Sequence, residues 1–342
     1  MPSLPDSEHP LPALTAGIQN QGLNNYVSRN NATVLKNVIT ISANGANTGA
    51  TFYQSHEFTV LQDAYAIEWK NQEDKLNKNH YLFMVGAISK CIYGNYEWTN
   101  KAGWERIKNN KIKIPLKGKV IDFDFMDSFV AELEALRVAE LEAYLNTTGL
   151  KDYVLTQKEQ KALDNFNKLK WGDFNLEKLF GKSTRGKRLK SDDRIPGNIP
   201  FVTAGEAEEG VSDYIGNQVT IFNENTTTID MFGSAKYRNY KFGGDDHIAV
   251  VHTENLEKFA SIFVTTAIHK SSHNGQFSYD KNFYAKDADN LNIKLPINDD
   301  GSINYSIMSL ISSAIHKLVI KEVVLFSNNR IGTTKQLVNC NQ

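Results

Sequence analysis

The chain has 342 residues, of which 41% are hydrophobic and 23% charged, with a formal net charge of −1 at pH 7. This is the composition of a globular protein of about two domains, and it excludes a disordered, collagen-like or disulfide-dense chain. Its apolar runs fall short of the roughly 18 residues that a membrane span needs. The opening MPSLPDSEHP has neither the basic start nor the apolar core of a secretory signal, and Cys91 and Cys340 make no metal or disulfide framework. A cytoplasmic protein with no metal and no cofactor is expected. Nucleic-acid binders are often strongly basic, so a near-neutral charge fits that class only if the lysines and arginines gather on one face.

In chain order, PALTAGIQNQGLNNYV from Pro12 opens a run of short β-rich segments with Gly and Asn turns, among them TISANG. AISK, IKIP and then IDFDFMDSFVAELEALRVAELEAYL follow. Its apolar positions Met126, Phe129, Leu133, Leu136 and Leu141 recur near helical spacing. The polar stretch LTQKEQKALDNF offers Thr156 and Glu159 as a capping box at a helix start. WGDFNLEKLF then introduces PFVTAGEAEEGVSDYI, TIDMFG, AIHK, IKLP and a last helical pattern at Met308, Ile311, Ile315, Leu318 and Val323.

The second half repeats the first. Thr15 aligns with Thr203 and Gly45 with Gly233 at one offset, and AISK/AIHK, Tyr96 and Trp98 with Phe277 and Tyr279, IKIP/IKLP, and Met126 with Met308 follow in the same order. The copies are unequal. Copy two carries Trp171 to Pro200 through the start of its matching block, whereas copy one has only residues 1–14 before Thr15. Copy one is expected to lack its opening strand, as the late start of a repeat or a piece of a longer or split product would.

WGDFNLEKLF, GKRL, IPFVTAG, GVSDYI, the TIDMFGSA block and the LP-turn-helix pattern from Asn304 make the chain resemble the target-recognition domains of type I restriction–modification specificity subunits. The resemblance covers almost the whole chain, twice. It implies an α+β fold, with two tandem target-recognition domains joined by long antiparallel spacer helices. The domains fall at 1–121 (N-terminally short) and 169–302, with a spacer-helix region at 122–168 and a second, with the tail, at 303–342. The implied function is that of a non-catalytic specificity subunit of a restriction system. It would read a bipartite target in double-stranded DNA and dock DNA methyltransferase (modification) subunits and a restriction subunit. Related proteins serve some type II systems, and the sequence fits both. The polar tail SNNRIGTTKQLVNCNQ predicts a short second helix.

Bases are read by Arg, Lys, Asn and Gln, and phosphates are held by cations, hydroxyls and amides. Three regions are rich in such groups. The loop after the TI strand carries Asn44, Asn47 and Thr48 in copy one and Ser234, Lys236, Arg238 and Asn239 in copy two. The stretch after the mixed region carries Trp98, Asn100, Lys101 and Arg106, answered by Gln276, Ser278, Tyr279 and Lys281. GKRLK carries Lys187, Arg188 and Lys190. Taken singly, each is more simply a solvated loop side chain. On the helices, Phe129, Leu133 and Leu136 are expected to face Ile311, Ile315 and Leu318 in a paired spacer.

Rival readings are weaker. Asp63, Glu68 and Lys70 outline a magnesium-dependent nuclease triad that copy two lacks. GKSTRGK from Gly181 resembles a phosphate-binding loop, but Arg188 stands where the magnesium-binding Ser or Thr belongs. His269 and His273 have metal-ligand spacing and no evident third ligand. A scaffold that binds protein and not DNA is the remaining alternative.

Overall fold

The computed structural model describes residues 2–71 and 73–340, the last of these, from 332 on, as backbone only. The chain divides into one unit of residues 1–143 with 330–342 and a second of 144–329. The first contains β1 (Leu11–Leu14), β2 (Leu23–Val27), β3 (Val38–Ser42), β4 (Thr51–Gln54), β5 (Thr59–Val60), β6 (Ala64–Ile67), α1 (Lys78–Ile92), α2 (Trp104–Ile107), β7 (Leu116–Lys117), β8 (Val120–Ile121) and most of α3 (Phe123–Thr147). The second contains α4 (Gln157–Asp164), β9 (Lys170–Asn175), α5 (Leu176–Phe180), β10 (Thr184–Arg185), β11 (Pro196–Val202), β12 (Val211–Ile215), β13 (Ile221–Phe222), β14 (Thr226–Ile229), β15 (Ala235–Arg238), β16 (Phe242–Gly244), β17 (Ala249–Val251), α6 (Lys258–Ser272), α7 (Ala285–Asp289), β18 (Asn292–Ile297) and most of α8 (Tyr305–Cys340). None of the described helices is long and apolar enough to cross a membrane.

The two units share one plan. Strand order is β2-β1-β5 and β4-β3-β6 in the first, and β12-β11-β16-β13 and β10-β17-β14-β15 in the second. β1–β2 and β11–β12 both shift register one residue before their last pair, at Ala13/Leu14 and Phe201/Val202. Each opening hairpin turns through two consecutive left-handed residues, Asn20 and Gln21 or Glu208 and Glu209. Side chains repeat as well. Tyr53 donates to Asn37 Oδ1 at 3.0 Å and Tyr237 to Asn225 Oδ1 at 2.9 Å. Gln54 donates to Thr40 Oγ1 at 3.1 Å and Arg238 to Thr228 Oγ1 at 2.9 Å. Unrelated sequences would not reproduce such bonds at matching strand positions.

Each core forms where the inner sheet meets the helix that follows it. β3 and β14 are buried at every residue. In the first unit Ile39 and Ile41 pack with Met84, Ile92 and Met126; in the second Ile229 and Val251 pack with Val264, Ile268 and Met308. α1 starts at a capping box in which Asn77 accepts from the amides of Asn79 and His80, and α6 starts where Glu257 accepts from Phe259 and Ala260. These caps satisfy amides that the first helical turn leaves without partners.

The alignment of Gly45 with Gly233 needs correction. Gly233 (φ 82°) lies so close to α6 that an added Cβ would sit 2.1 Å from Ser272 O, and Gly49 (φ 87°) makes the same approach to Ile92 O at 3.1 Å, whereas a Cβ at Gly45 would meet nothing. Gly49 is therefore the counterpart, and the turn in the first unit is longer. The expected shortness of the last helix is also corrected: α8 runs to Cys340. The tail is polar but free of proline, so nothing in it removes a helical hydrogen bond.

The segment ahead of β9 is tied to α8 within the second unit. Thr156 and Glu159 form the expected capping box. The Glu159 carboxylate also accepts from Ser313 Oγ at 2.6 Å and pairs with Lys317 Nζ at 3.2 Å, and Lys317 reaches Asp152 at 3.0 Å. Burial opposes ionisation of Glu159, but the bonds from Ser313, Thr156 and Lys317 outweigh it and hold the carboxyl down at about 2. A carboxyl whose folded pKa is depressed stabilises the fold above its unfolded value and loses that contribution as pH falls. Glu159→Gln is expected to cost on the order of 2 kcal/mol at pH 6. The gap from wild type should narrow as pH falls from about 4.5 toward 2, which denaturant titrations at stepped pH would follow.

Candidate nucleic-acid interface

The turn between the two long inner strands is built differently in each unit but is held against the same neighbour. In the second unit Asp230 Oδ1 accepts from the amides of Phe232 and Ser234 at 2.9 Å. Ser272 Oγ, at the end of α6, donates to Gly233 O at 2.6 Å. The His273 ring stands 3.1 Å from Phe232 O, and the Phe232 ring meets Tyr279 edge-on at 5.1 Å. In the first unit Asn44 donates to Asp63 at 2.8 Å, and the Ala102 amide donates to Thr48 Oγ1 at 2.9 Å. Two of the three regions singled out in the sequence are thus brought together in each unit.

Their exposed side chains have the chemistry of a nucleic-acid surface. Trp98 is 66% exposed, with Lys101 Nζ 5.7 Å from its ring. Arg106 donates to Asn100 at 2.6 Å. Thr99, Lys101, Trp104 and Arg106 share one open depression. In the second unit Tyr279 is 80% exposed, and Lys281 Nζ lies 5.9 Å from the Phe277 ring. Asn239 is exposed, and Asn47 is half-buried. The sequence reading missed Trp104 and Phe232, and took His273 only as half of a metal-spaced pair. A tryptophan two residues before Arg106 was the available signal for the first; Phe232 is placed only by the fold.

Arg238 does not belong to this surface. It is 1% exposed, and its guanidinium bonds Thr228 Oγ1, Tyr240 OH and Glu209 O at 2.8–3.0 Å. A buried charge needs such partners, and this one fixes the left-handed hairpin turn. Thr48 and Ser234, each 2% exposed, are also interior. Lys236 retains little exposure and pairs with Glu206 at 3.2 Å and Asp230 at 3.8 Å, so its charge is already matched. Lys187 and Arg188 are exposed, but they follow β10, which occupies the opposite edge of its sheet from β15. At about 4.8 Å per strand the two edges stand roughly 14 Å apart, and GKRLK is a separate patch.

The rival sites come apart. Asp63 and Glu68 lie at opposite ends of β6, about 16 Å apart at 3.3 Å per residue, too far to share a magnesium ion. GKSTRGK contains the extended strand β10, not a loop leading into a helix. His269 accepts from the Ala235 amide at 3.1 Å and packs tilted against the His273 ring at 4.8 Å, a packing role. On the helices Phe129 packs edge-on to Phe83 at 5.7 Å. Phe129, Leu133, Leu136, Ile315 and Leu318 stay 45–54% exposed, and Ile311 is buried.

A family model, "Type I restriction modification DNA specificity domain", matches residues 8–143 and 168–325. The specificity subunit S.BcgI of a type II restriction enzyme from Heyndrickxia coagulans is 24% identical over 237 residues, which span 68% of this chain and 65% of that protein. The S subunit of the type I restriction–modification system of M. genitalium has a similar fold, with TM-score 0.55 and 13% identity over 98% of this chain and 88% of that one.

The interior and surface roles separate by mutation. Arg238→Ala should destabilise the second unit by about 3 kcal/mol, because it leaves buried acceptors unpaired. Lys101→Ala and Lys281→Ala should leave the thermal midpoint within about 2 °C of wild type, as surface substitutions do. Differential scanning calorimetry of the three variants measures both effects.

Proposed function

The chain belongs to the type I restriction–modification DNA specificity domain family, and on that premise we propose that it reads DNA sequence for a restriction–modification assembly whose chemistry resides in other subunits. Residues 1–121 and 169–302 form the two reading domains, each responsible for one half of a bipartite double-stranded target. The observation that carries this reading is the duplicated junction: in each unit the inner-strand turn and the segment after the following helix meet, and exposed aromatic and basic side chains crowd there. Trp98, Lys101 and Arg106 serve one half-site, and Tyr279, Lys281 and Asn239 the other. Arg and Lys supply phosphate contacts and the bidentate reading of guanine, and the aromatics supply stacking or methyl contact.

The regions 122–168 and 303–342 serve as helical spacers. A helix rises 1.5 Å per residue, so the 25 residues of α3 and 36 of α8 are rods of about 37 and 54 Å. Arg330 of α8 lies 3.9 Å from Glu134 of α3, which supports a side-by-side course there. The half-exposed apolar positions Phe129, Leu133, Leu136, Ile315 and Leu318 are available to methyltransferase subunits, and a restriction subunit completes the assembly.

Binding-site selection from a random DNA library, run with the methyltransferase subunit present, tests the reading. It should return two short conserved blocks at fixed spacing. Trp98→Ala with Arg106→Ala should relax one block, and Tyr279→Ala with Lys281→Ala the other, each by about 1–3 kcal/mol of discrimination per lost base contact. A contiguous motif, an equal effect of both variants on both blocks, or a pure protein scaffold with negligible DNA affinity would overturn it.

A further inference from the structure

The two units differ most in what lies ahead of their opening hairpins. In the second unit, residues 170–185 cover two sheet edges at once. β9 pairs with β18 along its full length, setting Phe174 opposite Ile293 and Asp173 opposite Lys294. β10 pairs with β17, setting Thr184 opposite Val250. Beneath this cover Ile293, Leu295 and Val250 are completely buried.

In the first unit both edges are open among the described residues. The counterpart of β18 is the stretch 111–115, which joins no ladder and is exposed over its first half. Ile112, the match of Ile293, is 38% exposed, and Leu116 and Val120 beyond it are 59% and 67% exposed. The counterpart of β17 is β6, an edge strand that is half-buried at every residue. One segment with the course of 170–185 would cover both edges. Edge lysines by themselves can be a guard against aggregation, but large apolar side chains standing exposed beside them call for cover.

Charge tells what kind of cover fits. In the second unit Lys294 pairs across the strands with Asp173 at 3.1 Å. The corresponding edge of the first unit is more basic, with Lys111 and Lys113 at the positions of Asn292 and Lys294. We propose that the open edges of the first unit bind an extended polypeptide segment, chemically like Lys170–Arg185 but with acidic residues opposite Lys111 and Lys113, which adds one strand to 111–115 and one to β6. Strand addition of this kind takes affinity from main-chain bonds and specificity from alternate side chains.

The test uses the full chain and three labelled synthetic peptides: residues 170–185 as they stand in this sequence, the same with Asn175→Glu, and the same with Asp173→Lys. Fluorescence anisotropy measures affinity, and hydrogen exchange locates the site. The Asn175→Glu peptide should bind about 2- to 5-fold more tightly than the unaltered one, and the Asp173→Lys peptide correspondingly less, the size of one cross-strand charge pair. Amides of 111–116 and of β6 should slow in exchange, and Ile112→Glu in the protein should abolish binding. No binding by the first two peptides at about 1 mM (roughly −4 kcal/mol), protection confined to β17 and β18 of the second unit, or an unchanged order of affinities would overturn the proposal.

Discussion

Each unit depends on a close backbone approach at a left-handed glycine, too close for a Cβ at Gly233 and tight for one at Gly49. At Gly233 the turn between the inner strands touches the carbonyl of Ser272 at the end of α6, and Gly49 makes the matching contact with Ile92 at the end of α1. The contact needs a left-handed residue without a Cβ, for which glycine is the unstrained choice. Once it is made, the segment leaving the helix must run beside the turn, and the hydrogen bonds Ser272 to Gly233 and Ala102 to Thr48 hold it there. The exposed aromatic and basic side chains of both segments then occupy one surface. The cores of β3 with α1 and β14 with α6 supply the rigid platform beneath it.

The duplication was legible in the sequence because order survives drift: six short blocks recur in the same order, and Met126 and Met308 both prove to be fully buried. The capping box at Thr156 was legible because its two residues lie three apart. The sequence misaligns the turn because TISANG and TIDMFG share Thr, Ile and Gly at the same spacing, while the structural glycine of the first copy comes four residues later, at Gly49. In the sequence Arg238 reads as a surface cation because composition cannot show which way a strand residue points. Its counterpart Gln54, uncharged and bonded to Thr40, marks the position as polar and internal. Trp98, Lys101 and Arg106 stand out in the sequence as a loop that combines aromatic, basic and amide groups; the fold sets Lys101 beside Trp98 and in one depression with Arg106.

The units are unequal in finish rather than in plan. The second has its two edges covered by β9 and β10 and a hairpin locked by a buried arginine. The first has the same strands, turn and helix without that cover, and its corresponding edges expose Ile112 and the lysines around it. Such edges promote pairing with other chains. In an assembly of several polypeptides they are as informative about partners as the helices are.

The most direct measurement of the central claim, that the chain confers sequence choice through two reading units, is methylome sequencing of cells with and without the gene. The account predicts that one bipartite motif, two short blocks at constant spacing, loses its methylation when the gene is removed and regains it on complementation. A methylome unchanged by removal, or a lost motif that is a single uninterrupted block, would contradict it.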